Sequence, residues 1–160
     1  MTAGSPEAAG GSADDRGIAI RIGSWNELAD LARPIRVAVF VDEQQAPLAL
    51  EFDDSDPVSL HAIAFERRGE APLGTARLLP DGHIGRVAVL AHGRGRGVGN
   101  ALMRVLIARA RERAIAIVRV NAQVAAMEFY RRLGFEAEGE VFIEAGIEHR
   151  AMALRLLTGD

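Results

Sequence analysis

Apolar and polar positions alternate over Ile18 to Ile22, the period of a half-buried strand, and then give way to helical spacing. Ser24 stands where an N-cap belongs and predicts a helix through about Leu31, while Pro34 either ends that helix or opens another running to about Asp42. Gln44 to Pro57 reads as loop. Ser59 to Arg67 and Leu73 to Leu79 read as strands joined by a turn at Gly69-Glu70, and Pro80-Asp81-Gly82 turns the chain into a strand from His83 to Leu90. From Arg96 to about Arg113, Val98, Leu102, Val105 and Leu106 fall on one face of a helix. Arg109 shares that face near the helix end, where its stem can lie along apolar surface with its head in water. A strand from Ile115 to Asn121, a helix from Gln123 to Leu133, and strands Glu136 to Ile143 and Ile147 to Leu156 meeting across Glu144-Ala145-Gly146 complete the chain. The pattern predicts an α/β (α+β) domain with a mixed, largely antiparallel central sheet flanked by helices.

One junction in this pattern carries chemistry. The run Val87-Ala88-Val89-Leu90 stops at a loop with glycine at 93, 95, 97 and 99, and the helix follows at once. A strand that delivers a glycine-rich turn to a helix N-terminus aims backbone N–H groups and the positive dipole end at one point, which suits phosphate. Arg94 and Arg96 add guanidinium forks for the same kind of anion. The spacing is not that of a dinucleotide fingerprint, because counting G-x-G-x-x-G from Gly93 or Gly95 ends on Val98 or Asn100. Nor is it a Walker loop, which needs lysine, and every basic residue here is arginine. A glycine-rich connection or a solvated turn is the plain alternative.

A second block lies beyond that helix. Gln123-Val124-Ala125-Ala126-Met127-Glu128-Phe129-Tyr130 leads to Leu133-Gly134-Phe135. Gly134 can take the left-handed conformation that ends a helix, with Phe135 folding back on the last turn. Phe129 and Leu133 share the core face, and Ala126 leaves room beside the Tyr130 phenol. The alternative for Tyr130 is a half-buried aromatic whose hydroxyl is satisfied within the protein.

Arg94-x-x-Gly97-x-Gly99 followed by the Phe129-Tyr130 and Leu133-Gly134-Phe135 block resembles the GNAT superfamily of acyl-CoA-dependent N-acyltransferases. The resemblance extends over roughly Ile18 to Leu157, through Arg36 to Gln44, Glu51 to Asp54, Gly74 to Gly82 and Val141 to Arg150, and points to a small bacterial branch with mostly unassigned substrates. It implies acetyl transfer from acetyl-CoA to a primary amine of a small molecule or peptide by direct attack. Val87, Ala88 and Val89 would lie along the pantetheine arm. Arg94, Gly95, Arg96, Gly97, Val98, Gly99 and Asn100 would hold the pyrophosphate, and Tyr130 would protonate or hydrogen-bond the departing thiolate. Many members carry asparagine where this chain has Gln123, so the cofactor amide contact falls to Gln123 or to Asn121. The resemblance leaves the general base unassigned. Dimers are common in the superfamily, which leaves a homodimer open. The reading from another class is a non-catalytic acyl-CoA-binding sensor or interaction module, which would not need a phenol at 130.

Composition narrows the remaining choices. The 160 residues suit one domain, expected over residues 18–160 behind a disordered Gly/Ala/Ser/Asp-rich tail at residues 1–17. A net charge of −3 argues against a nucleic-acid platform, whose footprint is basic. No apolar run approaches a membrane span and the start lacks a signal h-region, so the chain is expected in the cytoplasm, with no membrane partner. The absence of cysteine excludes disulfides, thiolate metal sites and a cysteinyl intermediate. His61, His83, His92 and His149 are dispersed and read as structural, with no metal site expected. Asp53, Asp54 and Asp56 read as a solvated acidic loop, lacking EF-hand spacing. Glu43 and Glu51 flank the loop that shapes the acceptor pocket in this superfamily; each is a possible base but better read as solvated surface. Arg77 and Arg86 could pair with an anionic acceptor or form an ordinary cross-strand salt bridge.

Overall fold

The computed structural model describes residues 17–68 and 71–156, apart from the side chains of residues 50 and 51. Residues 1–16 of the tail expected at 1–17, and the Gly69-Glu70 turn, lie outside the described residues. Among the described residues seven strands form two antiparallel sheets. The first, in the order β1-β2-β3-β4, comprises β1 (Ile18–Gly23), β2 (Leu60–Glu66), β3 (Pro72–Leu78) and β4 (Ile84–Val89). The second, in the order β5-β7-β6, comprises β5 (Ile117–Gln123), β6 (Glu136–Glu144) and β7 (Ile147–Arg155).

A parallel bridge between His83 and Arg119 joins the sheets at the start of β4. Beyond it β4 and β5 are edge strands facing each other. Edge strands present unpaired N–H and C=O groups, so this divergence opens a cleft lined by backbone.

Helices cover both faces of the first sheet. Helix α3 (Val98–Glu112) sits on one face, where Val98, Leu102, Met103 and Leu106 join Ala62, Ala64, Leu73 and Ala76 in the main core. Helix α1 (Trp25–Arg36) sits on the other, where Leu28, Ala32 and Ile35 pack with Ile63 and Ala88. The alternation Ala62, Ile63, Ala64 along β2 feeds the two cores in turn.

Ser24 caps α1 as its sequence predicts: its Oγ accepts from the Glu27 N–H at 3.2 Å, and Glu27 Oε1 accepts from the Ser24 N–H at 2.8 Å. Pro34 does not break this helix. It sits inside α1, and the chain continues as a wider π-helical segment, Val37–Glu43, before the short helix α2 (Leu48–Glu51). A proline removes one N–H from the helical ladder, and the ladder resumes in a looser register, with Gln44 N–H reaching the Val39 carbonyl at 3.1 Å. Residues 44–57, read as loop, therefore carry α2 and a 3₁₀ turn from Asp56. The strand expected to end at Asn121 runs to Gln123, and helix α4 (Met127–Arg132) begins only after a 3₁₀ turn.

The acidic loop is not simply solvated. Asp56 is 2% exposed, between Arg36 Nη1 at 2.9 Å and Arg77 Nη1 at 2.7 Å. Burial pushes its carboxyl up, but the bonds and charges of Arg36 and Arg77 outweigh that and hold it below the usual carboxylate range. The hydrogen bond from Arg77 holds Asp53 down to about 2, against the opposing effect of burial. Arg86 also reaches Asp53, at 3.3 Å, so Arg77 and Arg86 form salt bridges, but with the acidic loop rather than across neighbouring strands as expected. Because an unpaired charge here would be costly, the network pins the chain between α1 and β2 to the first sheet.

Candidate active site

The cleft has a volume of about 1090 Å³ and runs along β4 between the glycine loop and the β6–β7 hairpin. Its floor is the divergent edge of β4. Between the pairs Thr75–Ala88 and Arg77–Gly85, β3 advances two residues and β4 three, so β4 carries a bulge, and Arg86 takes a positive φ of 51°. Such bulges bend a strand and re-aim its side chains. Val87 and Val89 line the cleft, whereas Ala88 is buried in the α1-side core. The Val89 carbonyl accepts from Arg94 Nε at 3.0 Å.

At the far end of β4 the loop forms as its glycines predict. Gly95 and Gly97 take φ of 77° and 83°, a conformation that side-chain-bearing residues rarely adopt. Gly97 is the N-cap of α3, and no side chain among the described residues caps that helix. Its first-turn N–H groups are thus left toward the cleft, where Gly97, Val98, Gly99 and Asn100 form the wall.

The two arginines of the loop behave differently. Arg94 lines the cleft while pairing with Glu43 at 2.6 Å, both side chains about half exposed. Arg96 pairs with Glu66 of β2 at 2.9 Å and is not among the lining residues. The pairing of Glu43 accounts for one of the two glutamates considered as bases, and the Glu51 side chain lies outside the described residues.

Across the cleft stand β5 and α4. Gln123 Nε2 donates to Gln44 Oε1 at 2.9 Å, tying β5 to the end of the π-helical segment. Asn121 also lines the cleft, and its carboxamide has no partner among the described residues. Tyr130 is 8% exposed, flanked edge-on by Phe129 at 4.9 Å and Phe135 at 5.8 Å between ring centroids. Its hydroxyl makes no hydrogen bond among the described residues, contrary to the alternative of an internally satisfied phenol. Burial pushes the phenol up to about 12, so it stays a proton-bearing donor. Gly134 closes the helix at φ 103°, and Phe135 N–H reaches the Tyr130 carbonyl at 3.1 Å, as the Leu133-Gly134-Phe135 pattern predicts.

The structure thus brings Val87, Val89, Arg94, Gly95, Gly97, Val98, Gly99, Asn100, Asn121, Gln123 and Tyr130 to one cleft, and leaves Ala88 and Arg96 outside its lining. It adds Gln44, which the sequence did not single out, and two residues read there in other roles: Phe129, assigned to the core face, and His149, read as structural, also line it. Nothing in the pattern around Gln44 marks it, since its partner lies across the fold. Among the described residues no cluster of side chains could hold a metal ion, and no helix is long and apolar enough to cross a membrane.

Comparisons with known proteins show the family and the fold. A family model described as an acetyltransferase (GNAT) domain matches residues 31–156. The uncharacterized N-acetyltransferase YjcF of Bacillus subtilis (strain 168) is 34% identical over 122 residues, covering 74% of this chain and 86% of that protein. An acyl-CoA N-acyltransferase from Pseudomonas aeruginosa superposes with a TM-score of 0.70 at 33% identity, over 85% of this chain and 98% of that one. Escherichia coli ElaA superposes with a TM-score of 0.74 at 29% identity, over 85% of this chain and 98% of that one.

Proposed function

This chain belongs to the GNAT acetyltransferase family and is an acyltransferase, and from that premise we propose that it transfers acetyl from acetyl-CoA to a primary amine of a small molecule or peptide. The single observation that carries the reading is the Tyr130 hydroxyl: nearly buried, beside a backbone-lined cleft, with no partner among the described residues.

The cofactor would follow β4. Its pyrophosphate would meet the open N–H groups of α3 and the loop from Arg94 to Asn100, where helix dipole and backbone act together. Its pantetheine amides would pair with the outer edge of β4 at Val87 and Val89, sharing the Val89 carbonyl with Arg94 Nε, as an added strand pairs with a sheet edge. Of the two side-chain amides, Asn121 is the one with its hydrogen-bonding groups open; Gln123 is engaged by Gln44. Arg96, held by Glu66, would contribute little to the anion.

Transfer would be direct. A neutral amine attacks the thioester carbonyl, the C–S bond breaks, and Tyr130 donates a hydrogen bond to the sulfur as charge develops there. A phenol near 12 facing a thiol near about 8.5 makes full proton transfer uphill, so Tyr130 would stabilise the thiolate by hydrogen bonding rather than surrender its proton. The soluble cytoplasm is the setting this reading expects.

The test is to measure acetyl-CoA binding by calorimetry and CoA release against a panel of primary amines. Binding with amine-dependent release supports the enzyme. Binding without release to any amine would favour a sensor of acyl-CoA, and no binding would remove the cofactor assignment.

A further inference from the structure

Resting on the acyltransferase reading, we propose that His149 is the general base that takes the proton from the acceptor ammonium. His149 lies on β7 and is 8% exposed, yet it lines the cleft. Its Nδ1 is 2.7 Å from the Ile147 carbonyl oxygen. A carbonyl can only accept, so Nδ1 carries the proton and the neutral ring has its lone pair on Nε2. That Nε2 has no partner among the described residues. An imidazole with a fixed tautomer and an open acceptor nitrogen beside a cleft has the chemistry of a base.

Its position in the sheet suits the task. His149 pairs in register with Gln123 of β5, which places both, together with Asn121, on one face of the second sheet. Val87 of the β4 bulge, Gln123 and His149 all line the cleft, so the imidazole and the bulge face the same space. On its other side β6 advances four residues, Glu138 to Phe142, while β7 advances two, Ala151 to His149. This bulge sets Phe142 against the imidazole, the rings stacked 5.8 Å apart. The ring is therefore held by a hydrogen bond at one edge and a stacked aromatic on one face.

The other candidates in the cleft are committed or remote. Among the described residues, besides Tyr130, its charged and titratable lining residues are Arg77, His83, Arg86, Arg94, Arg132 and Glu144. The arginines are not bases. His83 bonds Asp81 at 3.1 Å and is well exposed. Glu144 is exposed at the tip of the hairpin.

The proton balance is complete without another reactant. The ammonium gives one proton to Nε2, forming imidazolium, and the freed nitrogen lone pair forms the N–C bond. The C–S electron pair leaves with sulfur. The second proton on nitrogen passes to the thiolate through solvent, giving the amide and the CoA thiol, and the imidazolium returns its proton to solvent.

The experiment compares wild type, His149→Gln and Glu144→Gln, using acetyl-CoA and the fastest primary amine found in a panel. His149→Gln should lower kcat/KM by about 10²–10⁴-fold, abolish the acidic limb of its pH profile, and leave the acetyl-CoA Kd within about twofold. A β-fluorinated analogue of the same amine, less basic and more often neutral, should recover much of that loss. Glu144→Gln should change little. A His149→Gln enzyme with normal turnover and an intact acidic limb overturns the proposal, as does a loss confined to Glu144→Gln. Independently of activity, ¹⁵N spectra of histidine-labelled protein should show His149 as the Nδ1–H tautomer; an Nε2–H tautomer overturns the proposal even if no amine is found. Wild type that binds no acetyl-CoA overturns the acetyl-CoA reading on which the proposal rests, and the two failures stay distinct.

Discussion

Phe129 lies directly over Gly99: a Cβ placed on that glycine would stand 3.3 Å from Phe129 Cζ. The contact joins the first turn of α3 to the helix that carries Tyr130, whose ring meets Phe129 edge-on. The phosphate loop and the phenol are thus one packed unit. Gly99→Ala should displace Phe129 and Tyr130 together and reduce kcat by several-fold while the protein remains folded. Steady-state kinetics with a melting curve test this; unchanged kcat would show that the two helices adjust independently.

Tyr130→Phe removes an oxygen with no hydrogen-bond partner among the described residues, so the melting temperature should scarcely move. Turnover should fall by about 10²-fold, near the lower bound for losing a preorganised hydrogen-bond donor to developing charge, with acetyl-CoA Kd little altered. A lost melting temperature with normal kcat would make the phenol a packing residue only.

Gly97 holds φ 83° at the N-cap of α3, so a β-branched side chain there is strained and crowds the approach to the helix N–H groups. Gly97→Val should weaken acetyl-CoA binding by about tenfold or more, equal to ~1.4 kcal/mol. Calorimetry on the folded variant decides it; an unaltered Kd would move the pyrophosphate elsewhere.

The loop arginines should separate in the same assay. Arg94 lines the cleft, so Arg94→Gln should raise the acetyl-CoA Kd and flatten its dependence on salt. Arg96, held by Glu66 outside the lining, should tolerate Arg96→Gln with Kd within about twofold. The reverse order would contradict the geometry.

Acid should destabilise the fold in two steps. Burial lowers the His61 pKa, whereas an unfolded histidine titrates near about 6.5, so below that pH the unfolded chain binds more protons and stability falls. Asp53 is held down to about 2 while its unfolded counterpart titrates near about 3.9, so its contribution is full above about pH 4 and is lost toward about pH 2. Urea midpoints at pH 7.5, 5.5 and 3 should fall in sequence, and His61→Gln should lose the first step. A midpoint unchanged between pH 7.5 and 5.5 in wild type would count against it.

Local order was legible in the sequence because local rules govern it. Ser24 and Glu27 form their capping box within one turn. Gly97 and Gly134 take the positive φ that ends or starts a helix, and the strands of the β6–β7 hairpin follow from alternation around Glu144-Ala145-Gly146. The glycine loop beside an open helix N-terminus was likewise visible from spacing, whereas Tyr130 was marked by the family resemblance. Tertiary structure decided what depends on distant partners. Asp56 reads as a solvated acid until Arg36 and Arg77, twenty and twenty-one residues away, bury and pair it. Arg94 and Arg96 look equivalent in the chain, but one faces the cleft and the other turns to Glu66, thirty residues earlier. His149 is one of four scattered histidines until the β7 register, the Ile147 carbonyl and Phe142 fix its ring. Backbone conformation is set by the residue and its near neighbours, whereas burial, charge pairing and the direction of a side chain are set by whatever the fold brings against it.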